Sequence, residues 1–79
     1  MGTMGFGRKV REDGDTVRYE FGVDPAVVEG VLVVPVADVD SWYVQGSDGR
    51  PFTAQNVLHK ALRLRRRDGA WPVDASFYS

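Results

Sequence analysis

Only one stretch of this 79-residue chain carries helical periodicity, and that limits the folds open to the remainder. In TAQNVLHKALRLRRR, residues 53–67, Ala54, Val57, Leu58, Ala61, Leu62 and Leu64 share one face. At about 100° per residue that face is about 160° wide. Thr53 is the expected N-cap, and Gly69 the expected left-handed residue that ends the helix. Asn56, His59, Lys60, Arg63, Arg66 and Arg67 fall on the other side. Arg65 lands in the middle of the apolar face, where its stem has to run past the core edge.

The rest reads as strand and turn. TVRYEFGV alternates, with Val17, Tyr19, Phe21 and Val23 on one face and Arg18 and Glu20 on the other, the signature of a half-buried strand. Phe6 to Glu12 is a weaker strand, joined to it by EDGDT, where Asp13-Gly14 signals a tight turn with Gly14 supplying positive φ. VDPAVVEG reads as one helical turn or a compact loop, with Asp24 capping, Pro25 first and Gly30 left-handed at its close. GVLVVPVADV is apolar on both faces and reads as a central strand, limited at Pro35 by the missing N–H. DSWYVQ and RPFT flank the turn-rich GSDG and suggest a second hairpin. In AWPVDASFYS, Val73, Ala75 and Phe77 alternate as a last strand, with Trp71 covering the helix C-terminus.

Residues 1–5 show no periodicity and read as a frayed terminus, leaving 6–79 as one domain. The expected fold is α+β: a small antiparallel β-sheet of four or five strands packed against one amphipathic helix, in the order β-β-β-β-α-β. One helix covers one sheet face. The other stays wet, dimerises or is covered by the tail.

A chain this short supports one small core, and 43% hydrophobic with 27% charged residues is ordinary for a folded domain. Cysteine is absent, which excludes disulfides, thiolate metal sites and a cysteine nucleophile, and fits a reducing cytosol. The longest apolar run, 31–37, is far short of the roughly 20 residues that span a bilayer. The opening MGTMGFGRKV lacks the apolar core of a secretory signal. A cytoplasmic location with no membrane association is therefore expected. The bias toward Val, Gly, Asp and Arg suggests a GC-rich, bacterial genome.

The net charge of −1 hides a segregation. Residues 1–11 carry +3, residues 12–49 carry −8, residues 50–67 carry +6, and Asp68 and Asp74 add −2. Arg63, Arg65, Arg66 and Arg67 fall within five positions. Cations in a last helical turn interact favourably with the carbonyl end of the dipole, but four are more than the dipole requires.

Catalytic patterns are missing. His59, the lone histidine, lies on the polar helix face with no acid within one turn, and reads as an exposed helical residue. Ser41 and Ser47 lack a nucleophile-elbow frame, and no phosphate-cradling glycine loop is present. DVDSWYVQGSDG has the length of a calcium loop, but Tyr43 stands where the sharp turn needs glycine and Gly49 where a bidentate glutamate belongs. Asp13, Asp15, Asp38 and Asp40 read as turn formers, and no metal or cofactor is expected.

The sequence therefore points to a small non-catalytic interaction module. Lys60, Arg63, Arg66 and Arg67, with Trp71 and Tyr78 beside them, would meet an acidic protein surface or a second copy of the chain. Tyr19, Phe21 and Trp42 read as core, while Trp71, Phe77 and Tyr78 stay open between core and interface. A nucleic-acid accessory using the same stripe is the alternative. A pI near 5.7 and the absence of a helix-turn-helix, zinc-finger or RNA-recognition signature weigh against it. An enzyme of unrecognised type comes third.

Overall fold

A computed structural model describes residues 4–24 and 26–78. The chain is α+β, with strands β1 (Met4–Glu12), β2 (Thr16–Gly22), β3 (Gly30–Pro35) and β4 (Tyr43–Val44), helix α1 (Phe52–Asp68), and strand β5 (Phe77–Tyr78). All pairings are antiparallel, in the spatial order β4-β3-β2-β1-β5.

The alternation of β2 sorts the sheet into two faces. Val17, Tyr19 and Phe21 are buried against Leu32, Val34 and Val44 of the neighbouring strands and against Ala54, Val57, Leu58 and Ala61 of the helix. Each fully buried valine or leucine there contributes about 1.5–3 kcal/mol relative to exposure. Gly7 lets the helix approach: a Cβ on it would lie 2.5 Å from Val57 Cγ1. Tyr19 Oη reaches across the core to donate a 2.6 Å hydrogen bond to the Pro72 carbonyl, tying the segment after the helix to the sheet. Burial, with Glu12 adding a smaller push, raises the Tyr19 phenol well above its ordinary value and keeps it a donor.

Several boundaries differ from the sequence expectations. β1 begins at Met4, where Met4 and Gly5 pair with Tyr78 and Phe77, so these two residues belong to the sheet and not to a frayed terminus; residues 1–3 lie outside the described residues. β2 ends at Gly22 and leaves Val23 54% exposed, off the face assigned to it. The left-handed glycines among the described residues are Gly46 and Gly69, not Gly14 or Gly30. The Asp13 turn closes instead through its carboxylate, which accepts hydrogen bonds from the Asp15 and Thr16 amides. At 24–27 the chain makes a turn, with the Ala26 amide donating to the Asp24 carboxylate; Pro25 lies outside the described residues.

The expected second hairpin is not formed. DSWYVQ supplies a short 3-10 turn (Val39–Ser41) and a two-residue strand, and Phe52 of RPFT opens the helix. Pro51, with φ −59°, stands at the N-cap, and Thr53 lies inside the first turn. Proline needs no amide hydrogen bond there and fits an entering helix. Gly69 closes the helix with φ 80°, its amide donating to the Arg65 carbonyl at 2.7 Å. The last strand shrinks to two residues: Ala75 is buried and Val73 is 68% exposed.

β1 is bulged between Lys9 and Arg11. Before the bulge Lys9 opposes Tyr19. After it, Arg11 opposes Arg18.

Candidate interaction surface

The basic cluster divides into residues with different partners. Arg65, on the apolar side of the helix, places its guanidinium 4.9 Å from the centroid of the Trp71 ring, a cation–π contact. Arg67 pairs with its neighbour Asp68, Nε to Oδ1 at 2.9 Å and Nη2 to Oδ2 at 3.2 Å. That side-chain bond holds the Asp68 carboxyl below its ordinary value and raises the Arg67 guanidinium. Arg63 and Arg66 are exposed and Lys60 half-buried, and none has a carboxylate within ion-pair distance among the described residues. Lys60 stands near enough to Asp74 to favour its charged form slightly, although hydrogen bonds from Ser76 are what chiefly lower that carboxyl.

Helix geometry joins these cations to a residue the sequence reading placed elsewhere. Phe52, assigned to a hairpin strand, is the first residue of α1 and 77% exposed. Eleven residues separate it from Arg63, which at about 100° per residue returns to nearly the same direction. Phe52, Asn56, His59 and Arg63 thus follow one line along the outer helix face. The signal was present in Pro51, since a proline just ahead of an amphipathic run marks a helix start.

Two aromatic assignments change. Trp71 is 6% exposed and belongs to the core, because it roofs the helix C-terminus beneath Arg65. It is not available as a contact residue. Tyr78 pairs with Met4 through the backbone, and its side chain lies outside the described residues. Phe77 is half-buried against the core. Tyr19, Phe21 and Trp42 are core, as expected.

His59 is exposed and makes no hydrogen bond or ion pair among the described residues. A cleft of about 340 Å³ lies apart from it, lined by Phe6, Gly7, Arg8, Val73, Asp74 and Ser76. The Asp38 carboxylate accepts from Ser41 Oγ at 2.7 Å, and Asp13 serves its own turn, so these two acids do local backbone and side-chain work. No helix among the described residues is long and apolar enough to cross a membrane. No protein-family description, curated protein or solved structure matches the chain.

Proposed function

We propose that this chain is a non-catalytic interaction module of a reducing cytosol, whose outer helix face meets an acidic protein surface. What carries the reading is that Arg63 and Arg66, with Lys60 beside them, have no carboxylate within ion-pair distance among the described residues. Arginine's planar fork suits carboxylates bidentately. Phe52 adds an apolar anchor at the far end of the same face, and an aromatic entering a pocket supplies affinity that rim charges alone do not. The charges steer the encounter and fix its direction. Arg67, already satisfied by Asp68, contributes less than Arg63 and Arg66.

The test is co-purification of the full chain at low ionic strength after nuclease treatment, beside the R63Q/R66Q variant and F52A. Loss of the bound protein in both variants is the expected result. Partners retained by both variants contradict the reading. Binding that nuclease abolishes, and that weakens steeply with salt on arbitrary duplex, assigns the stripe to nucleic acid instead.

A further inference from the structure

The sheet face away from the helix carries a second concentration of positive charge, separate from the helix stripe and independent of its proposed role. Across the ladder, Arg11 opposes Arg18, Arg18 opposes Val33, and Val33 opposes Tyr43, so the four form one row. The bulge creates this row. Continuing the regular register from Lys9 and Tyr19 would set Val10 opposite Arg18 and turn Arg11 to the helix side. The extra residue slips the strand and sets Arg11, instead of Val10, opposite Arg18.

Like charges directly opposite on a sheet repel each other, and the one carboxylate near both among the described residues, Asp13, offsets them only in part. Arg11 Nε stands 3.8 Å from Asp13 Oδ2, too far for a hydrogen bond, and Asp13 Oδ1 is committed to its own turn. Glu20 is drawn away by Arg8 at 2.7 Å. Arg18 Nε is buried with no acceptor among the described residues, an unmet donor that is costly unless an oxygen reaches it. Val33, between Arg18 and Tyr43 in the row, is itself covered at 1% exposure, whereas Tyr43 at the end of the row is 48% exposed.

Two forked donors with an exposed aromatic farther along the same row suit a ligand with several acceptor oxygens and two negative charges. We propose that Arg11 and Arg18 bind a small phosphate, either inorganic phosphate or a phosphate monoester whose organic group extends toward Tyr43. The phosphoryl oxygens bridge the two guanidiniums and remove their repulsion. A monocarboxylate, with one charge, binds more weakly.

Thermal unfolding of the full chain in sodium phosphate against sodium chloride at matched ionic strength tests this. At phosphate ten times its Kd, the wild-type Tm rises by roughly 5–10 °C. Arg11 is largely exposed, so R11Q folds, and with the repulsion gone it melts in chloride at or above the wild type. Its phosphate response collapses. In NMR titration, amide shifts centre on Arg11, Arg18, Val33 and Tyr43. Phenyl phosphate binding tighter than inorganic phosphate, with the advantage lost in Y43A, identifies the ester; equal binding identifies the free ion. An equal phosphate response in wild type and R11Q, as general salting-out produces, overturns the proposal. So do shifts that bypass the row.

Discussion

The Arg65 guanidinium lies 4.9 Å from the centre of the Trp71 ring, so the one arginine on the apolar side of α1 covers the edge of the core while itself remaining exposed. Its neighbours in the same run have other roles, and stability measurements should separate them. Replacing Arg65 with alanine removes a cation–π contact and the stem that shields Trp71, at a cost of about 1 kcal/mol. Arg63→Ala, with no partner among the described residues, stays within roughly 0.5 kcal/mol of wild type. Urea unfolding of both variants checks the contrast.

Gly7 and Val57 make a second test. Gly7→Ala forces a methyl to 2.5 Å from Val57 Cγ1, and the overpacking costs about 1–3 kcal/mol. Adding Val57→Ala makes room for that methyl, so the double variant recovers part of the loss beyond additivity. A denaturation double-mutant cycle reads the coupling.

The hydrogen bond from Tyr19 to the Pro72 carbonyl holds the post-helical segment on the sheet. Tyr19→Phe keeps the ring and leaves the part-buried Pro72 carbonyl short of a donor, costing about 1 kcal/mol. Faster amide exchange at Ala75, whose N–H donates to the Gly7 carbonyl, is the local readout expected.

Fold class was legible because it rests on period: one helical stretch and one clean alternation. Those patterns set α1 and β2 and made Tyr19 and Phe21 core, while Trp42 was read as core because so short a chain needs its aromatics inside. Turn chemistry was less legible. Asp13-Gly14 marked the right place, but the turn is held by the Asp13 carboxylate and not by a left-handed glycine. The surface was harder still. Trp71 was legible as a cover for the helix C-terminus but stayed open between core and interface, because its burial follows from a chain reversal at Gly69 that alternation does not reveal. Phe52 was misplaced because a one-residue shift in the helix start moves it from a strand to the outer helix face. The Arg11–Arg18 pair was invisible, since a bulge leaves no mark in alternation.

Acid behaviour follows from the turn carboxylates. Hydrogen bonds from Ser76 hold Asp74 below its ordinary 3.8, and backbone amides of Thr16 and Asp15 do the same for Asp13. A carboxyl lowered by folding stabilises the protein above its unfolded pKa, and that contribution is lost as pH falls through the folded value. Stability therefore declines on acidification below about pH 4. Asp74→Asn loses stability at neutral pH and shows a shallower acid decline, measured as Tm against pH.

Whether a protein docks along the outer helix face can be read directly by placing a photo-crosslinking side chain at His59, which lies on that face between Phe52 and Arg63. The account predicts nuclease-resistant protein adducts from that position, lost when Arg63 and Arg66 are neutralised. Adducts that nuclease removes, or adducts unchanged by the neutralisation, would contradict it.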